Sequence, residues 1–519
     1  MNGFRKSMGG LHTWAGILFC WVMYFMFVTG TLGYFDDEID LWMQPERSAH
    51  IDAPFERRVE TSYRYLNEHA QGAEYWYLFP AGGRHATAPE VSWRLPQSEQ
   101  PQPRRFRKQI DAIDGGELHQ PARETGGGQL LYKMHYKLHY LDRTIAFYFI
   151  GVVTVVMFLT VVTGVVIHRK FFAEMFTFRP HKGLRSTLDL HNLLSVSSLP
   201  FHLMISYSGL VFMISSLLPL IGFGGLGFDR DISKQELAKL RFRPQIERSG
   251  QAAPLLPAER LTQLIARYGD ADRIRSIQIQ APGDANARIY VRQFDGIATR
   301  SATLLEFDGV SGELLSQRSP AHNSAVEAGQ ILLSLHEGQF AGPLLRWLYF
   351  IAGLAGAGMI ATGALHFVQK RRLKQRQAGP AAGIRLVERL NVGILVGLPM
   401  AIGAYLIANR LLPLGLPERA DWEAHSLFMV WGLALIHGLI RSPSKSWSEQ
   451  LGLAAVTWLA VPIINAMTTS KHLGHTLASG QWLYASIDLG ALTLAAACLF
   501  AAVRLQRRSL SNSRLTVHA

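Results

Sequence analysis

Residues 145–167 read IAFYFIGVVTVVMFLTVVTGVVI, a run that contains no Asp, Glu, Lys or Arg. A run of about 18 or more apolar residues can cross the hydrocarbon layer of a membrane, about 30 Å thick, as a helix. Seven further predominantly apolar runs lie at 14–35, 193–222, 344–368, 390–409, 422–440, 449–468 and 482–503. The sequence therefore predicts an α-helical membrane bundle with about eight transmembrane helices.

The basic residues are divided unequally between the segments that connect these runs. If the N-terminus is cytoplasmic, clusters of Lys and Arg fall in the cytoplasmic segments 1–10, 168–187, 369–389, 441–450 and 504–519. The short loops on the other side carry only Arg410, Arg419 and Lys471. The positive-inside rule then places both termini in the cytoplasm of a bacterial inner membrane. The net charge of +13 is mainly a topology signal and does not indicate nucleic-acid binding.

The two cysteines, Cys20 and Cys498, each lie within an apolar run. This number and placement exclude a disulfide framework, a CxxC redox pair and covalent haem attachment through CxxCH. Both cysteines are expected to be small buried side chains.

Two polar segments, 36–130 and 223–335, are too long to be loops. Each predicts a short amphipathic helix, at 57–69 and 258–268, followed by short runs with the composition of β-strands. The predicted strands cover 74–79, 91–95, 277–279, 288–292 and 302–307. Each segment is therefore expected to form a small periplasmic α+β domain.

The chain contains an internal repeat that continues into the membrane. Gly128-Gln-Leu-Leu-Tyr-Lys-Met-His135 aligns with Gly329-Gln-Ile-Leu-Leu-Ser-Leu-His336. Leu11-His12 resembles Leu190-His191, and Val162-Thr-Gly164 aligns with Ala361-Thr-Gly363. Internal duplication commonly places a site on the pseudo-symmetry axis. The predicted order is helix 1 (1–35), domain 1 (36–130), helix 2 (131–170), helix 3 (188–222), domain 2 (223–335), helix 4 (336–370) and helices 5–8 (388–508).

Five motifs carry a resemblance to a known family over roughly residues 5–375. They are Leu11-His-Thr-Trp-Ala-Gly16, His135-Tyr-Lys-Leu-His139, Thr163-Gly-Val-Val-Ile-His168, Leu199-Pro-Phe-His202 and Leu335-His-Glu-Gly-Gln-Phe-Ala-Gly342. The chain resembles the PepSY-associated transmembrane family, which includes iron-regulated inner-membrane proteins and haem-containing ferrisiderophore reductases. The resemblance implies PepSY-like folds for the two polar domains and a ferrisiderophore as the substrate.

Histidines at the ends of the predicted helices are the main chemical signal among the 19 in the chain. Ionisable side chains at membrane depth are functional candidates by default, and facing histidines of two helices form the usual axial pair of a b-type haem. The candidate axial ligands, which would also be the metal ligands, are His135, His139, His336, His168, His366, His12, His191 and His202.

The spacing of these histidines predicts two levels in the membrane. On unbroken helices, His135 and His168 would lie about 50 Å apart, and His336 and His366 about 45 Å apart. Helices 2 and 4 would thus carry one histidine pair at the periplasmic interface and one near the cytoplasmic interface. His139, one turn beyond His135 on the same helix face, is an alternative periplasmic ligand.

Other polar residues leave alternatives open. His191 and His202 are 11 residues apart and would share a helix face, and His202 is expected either to bind iron or to donate to a ligand. A structural zinc site is the rival explanation for clustered histidines, although the sequence after His336 lacks the HExxH spacing. His425, His437 and Asp488 are secondary candidates.

The first functional hypothesis is a membrane-bound haem reductase. Electrons from a quinol or a separate reductase would pass through one or two non-covalent b-type haems to a periplasmic ferric chelate, by outer-sphere transfer. No residue is predicted to be catalytic in its own right. The second hypothesis is a non-enzymatic PepSY membrane protein, a siderophore permease or regulatory partner, with structural histidines or a zinc site.

Overall fold

A computed structural model describes residues 3–47, 53–80, 88–96, 105–118, 123–168, 178–180, 182–225, 246–294, 302–318, 324–375, 379 and 381–517. The chain forms two compact units. The first comprises Met1–Pro45, Arg123–Leu217 and Ala341–Ala519, and the second comprises Glu46–Ala122 and Leu218–Phe340. The basic residues Arg169 and Lys170 of the predicted cytoplasmic cluster lie outside the described residues.

The described helices longer than one turn are α1 (Gly3–Leu32), α2 (Asp36–Met43), α3 (Phe55–His69), α4 (Gly127–Lys137), α5 (Arg143–Ile167), α6 (Leu184–Ser197), α7 (Leu199–Gly225), α8 (Ala258–Tyr268), α9 (Ser324–Glu337), α10 (Pro343–Lys374), α11 (Ala382–Leu395), α12 (Gly397–Leu411), α13 (Arg419–Ile440), α14 (Pro443–Thr468), α15 (Leu473–Ala478) and α16 (Trp482–Val517). The described strands are β1 (Tyr75–Phe79), β2 (Glu90–Arg94), β3 (Arg105–Gln109), β4 (Ile274–Gln280), β5 (Arg288–Phe294), β6 (Ala302–Asp308) and β7 (Leu314–Arg318).

The first unit is a helical membrane bundle. Among the described residues, seven helical segments are long and apolar enough to cross a membrane, and α6 with α7 makes an eighth if this bent pair is one span. This confirms the predicted helical bundle of about eight spans. The fifth span is made of α11 and α12 together, and 72% of its most apolar window is buried inside the protein. It is therefore a central helix of the bundle.

The prediction of one straight third helix is wrong. The chain bends by 68° between α6 and α7, at Ser198. Pro200 follows in the first turn of α7, where proline is well tolerated because that turn leaves its N–H groups unpaired. The same proline would interrupt a continuous helix, since it lacks the N–H and clashes with the preceding turn.

Predicted helices 2 and 4 are also interrupted, at corresponding places. The first break separates α4 from α5, and the second separates α9 from α10. Leu138 and Gly338, each the first residue after a helix, have φ of 50° and 60°. Asp142 then caps α5 by accepting from the N–H groups of Thr144 and Ile145. The predicted separations, about 50 Å between His135 and His168 and about 45 Å between His336 and His366, assumed unbroken helices. They therefore do not apply.

The second unit contains one antiparallel sheet of seven described strands in the order β3-β2-β1-β4-β5-β6-β7. Strand β1 of the first polar segment pairs with β4 of the second, with Tyr75 opposite Gln280. The two segments therefore share one sheet, whereas the sequence predicted separate modules. Both predicted amphipathic helices are confirmed, as α3 and α8. Strands β3 and β7 were not predicted.

The core of the second unit lies between this sheet and its helices. Alternate strand residues share one sheet face, and those on the apolar face form a continuous cluster with α3 and α8. The cluster includes Trp76, Leu78, Val91, Ile277, Ile289, Val291, Leu305 and Phe307 from the strands, and Val59, Leu66, Leu261 and Ile265 from the helices.

Candidate functional site

His12 of α1 lies against the backbone of α5. Its Nδ1 atom is 2.9 Å from the carbonyl oxygen of Thr160. One turn later on α5, a Cβ added at Gly164 would lie 3.3 Å from Cε1 of His12. The missing side chain therefore lets the ring approach the helix. Because a carbonyl oxygen only accepts hydrogen bonds, Nδ1 carries the proton and Nε2 is the nitrogen with a free lone pair.

His191 of α6 makes the same contacts with α10. Its Nδ1 atom is 2.8 Å from the carbonyl oxygen of Met359, and a Cβ added at Gly363 would lie 3.2 Å from its Cε1. In both halves the accepting carbonyl precedes the glycine by four residues. We call each such carbonyl–glycine pair a notch. The internal repeat is thus also a structural repeat, in which each notch orients one imidazole and leaves its Nε2 free.

The two notched histidines are close to each other. The ring centres of His12 and His191 are 6.4 Å apart, and the ring planes make an angle of 75°. Two imidazoles on opposite sides of one metal, each with a metal–nitrogen bond of about 2 Å, have ring centres roughly 6 Å apart. Axial coordination does not restrict rotation of a ring about that bond. The spacing of His12 and His191 therefore fits an axial pair.

Two more predicted ligands belong to the same cluster, since His191 is within electrostatic range of His12, His168 and His366. His168 follows the C-terminus of α5, and His366 lies near the backbone of Leu184, at the start of α6. Nε2 of His168 and Nδ1 of His366 are buried without a hydrogen-bond partner among the described residues. The structure thus brings together four of the predicted ligands.

His202 occupies a third notch. It lies on α7, 1% exposed, with Nε2 3.2 Å from the carbonyl oxygen of Ala352 and close to Gly356, four residues further on. Its Nδ1 has no hydrogen-bond partner in the described part of the chain. The prediction that His191 and His202 share a helix face is wrong because the bend separates α6 from α7. The two rings instead use notches seven residues apart on α10.

The remaining predicted ligands lie elsewhere. Nδ1 of His135 is hydrogen-bonded to the carbonyl oxygen of Tyr132 in its own helix, and the ring packs on Gly30 of α1. His139 follows the end of α4 and stacks on Phe428 of α13, with ring centres 5.8 Å apart. The sequence had predicted that His139 lies on the same helix face as His135. This prediction is wrong because α4 ends at Lys137, before His139. His336 lies in α9, in the second unit, so its pairing with His135 stays a prediction.

The secondary candidates have local partners. His437 contacts Glu449 through Nε2 at 3.0 Å and Gln450 through Nδ1 at 3.2 Å. Nδ1 of His425 is 2.6 Å from the hydroxyl of Tyr140. Asp488 is fully buried and accepts from Trp42 Nε1 and Asn465 Nδ2, both at 3.0 Å. These contacts are those of side chains that hold helices together.

Sequence reasoning missed the role of the notch glycines. Gly164 and Gly363 stand in an aligned motif, but the alignment does not show that histidines of other helices lie against them. Among the described residues, no three or more His, Cys, Asp or Glu side chains are grouped to hold one metal ion. A four-ligand zinc site therefore has no support there, whereas haem requires only two axial protein ligands.

Comparisons with known proteins cover the part of the chain that contains the clustered histidines. A family model described as the PepSY-associated TM region matches residues 10–370, which include all three notches and both halves of the sheet. The chain is also similar to the uncharacterized protein PA4219 of Pseudomonas aeruginosa, with 25% identity over 322 residues that cover 59% of this chain and 77% of that protein.

Proposed function

The chain belongs to the PepSY-associated transmembrane family, and we propose that it is an inner-membrane, haem-dependent reductase. In this proposal it passes electrons across the membrane to a periplasmic ferric chelate, a ferrisiderophore, during iron uptake. The observation that carries the proposal is the pair formed by His12 and His191, whose ring centres are 6.4 Å apart. Each ring is held by a notch that leaves Nε2 free to bind iron.

The residues of the first unit fit a non-covalent b-type haem. His12 and His191 would hold the haem iron through Nε2, because each carries its proton on Nδ1. The second ring nitrogen of a metal-binding histidine usually donates to a carbonyl or carboxylate, which fixes the ring and its tautomer. His168 and His366 are the other candidate ligands of the same cluster. Bound haem supplies a one-electron couple.

Beyond His12, α1 enters the apolar core of the bundle. Cys20, Met23 and Tyr24 of α1 are buried in the same apolar core as Ile360 and Ala364 of α10. A low-dielectric surrounding strengthens the electrostatic effect of nearby charges on a redox group. The notches hold the imidazoles of His12 and His191, and the apolar core lies further along the same helices.

The proposed orientation follows from the basic residues. With both termini cytoplasmic, the cluster around His12 lies near the cytoplasmic face, where a quinol or a separate reductase supplies electrons. The sheet of the second unit is then periplasmic. His135, with His139 as a candidate partner, is proposed to hold a second haem towards the periplasm.

The proposal is tested on the detergent-purified chain from haem-replete cells. We expect the reduced protein to show the absorption of low-spin b-type haem, which acid acetone should extract because no CxxCH motif is present. Replacing both His12 and His191 with Ala should remove the haem of this cluster. His437→Ala is the matched control, since both ring nitrogens of His437 have other partners. A colourless wild-type protein with stoichiometric zinc would contradict the proposal.

A further inference from the structure

The segment 123–128, which leads into α4, is held by hydrogen bonds at every residue. Arg123 donates to the carbonyl of Asn409, and the carbonyl of Glu124 accepts from Arg419. Thr125 and Gly126 both donate to Glu423, and Gly128 donates to Asp40. The carbonyl of Gly127 accepts from Tyr405. Five of these six residues are therefore bound by α12 and α13.

Glu423 is the centre of this contact. It is fully buried, and its Oε2 accepts from Thr125 Oγ1 at 2.5 Å and from the N–H of Gly126 at 3.1 Å. Its Oε1 accepts from Asn409 Nδ2 at 2.8 Å, and it forms an ion pair with the equally buried Arg419. Because an unpaired buried charge is costly, this group of side chains has one well-defined arrangement.

The three glycines are required by the closeness of this approach. A Cβ added at Gly126 would lie 2.8 Å from the hydroxyl of Tyr405. At Gly127 and Gly128, an added Cβ would overlap the side chain of Asp40 and the backbone of Asp36, respectively. Gly127 also has φ of +60°, which a side chain disfavours. The sequence Gly126-Gly127-Gly128 thus lets α4 begin in direct contact with three other helices.

The contact has a consequence for His135, because it determines where α4 begins. The first N–H groups of a helix have no partner within it, and here two carboxylates from elsewhere, Glu423 and Asp40, accept from Gly126 and Gly128. His135 follows Gly127 by eight residues, about 12 Å along the same helix. A shift of the helix start therefore shifts the imidazole.

We infer that the four spans 382–508 are a positioning module for His135, acting through Tyr405 and Glu423 on the start of α4. The family match ends at residue 370, before this module begins, and in this inference the module sets the position of His135 as a ligand of the outer haem. Tyr405 and Glu423 are positioning residues: they touch the segment that carries the ligand and not the iron. The inference rests on the proposed function in one respect, namely that His135 binds haem.

The experiment compares Tyr405→Phe and Glu423→Gln with Asp488→Asn in the full chain. Asp488 is buried to the same extent and lies in the same module, but its partners are Trp42 and Asn465. We expect amide exchange in peptides covering 127–137 to be about tenfold faster in the two test variants, since local opening free energies respond to lost buried contacts. Asp488→Asn should leave exchange there unchanged.

The second readout is the electron paramagnetic resonance signal of the outer haem, recorded with His12→Ala present in every chain. Both test variants should change its g values, while the control should keep them. Unchanged exchange and unchanged g values in Tyr405→Phe would overturn the inference, even if Glu423→Gln failed to insert. If the outer signal is missing from the parent chain, haem binding by His135 is wrong, and the exchange rates alone still decide whether the module positions α4.

Discussion

The two halves of the helical repeat hold their histidines alike but are built differently. The first half presents His12 from the uninterrupted helix α1, whereas the second presents His191 from α6, which is bent by 68° against α7. Both rings nevertheless reach a carbonyl–glycine notch on the following membrane helix. The comparison shows that the notch requires only a short stretch of two packed helices. It tolerates a break further along the chain.

The largest effects are expected from removing the notched histidines. If His12 and His191 bind one iron, His12→Ala, His191→Ala and the double replacement should each abolish the low-spin signal of that haem. Residues that act on one centre are strongly non-additive, so the double variant should be no worse than either single one. Haem content and visible absorption measure this. Additive losses would show that the two histidines bind different centres.

A smaller effect is expected from filling the notches. Gly164→Ala and Gly363→Ala add a Cβ at 3.3 and 3.2 Å from the histidine rings, so each ring must move by a few tenths of an ångström. The resulting change in the ligand field should appear as shifted g values in paramagnetic resonance, with haem retained. Gly16→Ala in α1 is the matched control, because nothing lies within 4 Å of its added Cβ. Equal spectra for all three variants would show that the notches do not orient the ligands.

His202 gives the sharpest contrast between the halves, because the first half has no histidine at the matching position. His202 follows His191 by 11 residues, and the residue that follows His12 by 11 is Met23. His202→Leu removes the hydrogen bond to Ala352 but also an unpartnered buried nitrogen. The lost hydrogen bond and the removed unpartnered nitrogen offset each other, so the free energy of unfolding should change by less than about 1 kcal/mol. The thermal midpoint, which measures this, should therefore change little. The haem spectrum should be retained. Loss of haem from this variant alone would identify His202 as a ligand.

The smallest effect is expected in the repeated turns of the sheet. Asp111 and Asp308 occupy corresponding turns, and each accepts from two following N–H groups. Asp308 also pairs with Arg288 at 2.9 Å, so Asp308→Asn should cost about 0.5 kcal/mol of stability and Asp111→Asn less.

The pH dependence of this turn follows from its carboxylate. Burial raises the pKa of Asp308, but hydrogen bonds from Ser311 and Val310 and the charge of Arg288 outweigh it and lower the pKa below its usual value. A folded-state pKa below the unfolded one stabilises at pH above the unfolded value of about 3.9. This contribution should be lost as pH falls through the folded pKa. Acid denaturation curves of wild type and Asp308→Asn should converge there; parallel curves would contradict the assignment.

The sequence by itself determined the parts that depend on local composition. Long apolar runs predict membrane helices wherever they occur, because crossing the hydrocarbon layer requires only length and hydropathy. The amphipathic helices α3 and α8 were predicted from the periodicity of their apolar residues, which is also a local property of the sequence. The histidines of the cluster were also named in advance, since an imidazole at a helix end stands out in an apolar stretch.

Only the tertiary structure decided which of these groups meet. The contact of His12 with Thr160 and Gly164 joins residues about 150 positions apart, and no local pattern encodes such a pair. The pairing of β1 with β4 is likewise a long-range contact, made because an unpaired strand edge gains hydrogen bonds from any suitable neighbour. The hydrogen bond between Gly126 and Glu423 depends on the packing of four helices, α2, α4, α12 and α13. Distant residues become partners through packing, and packing is a property of the whole fold.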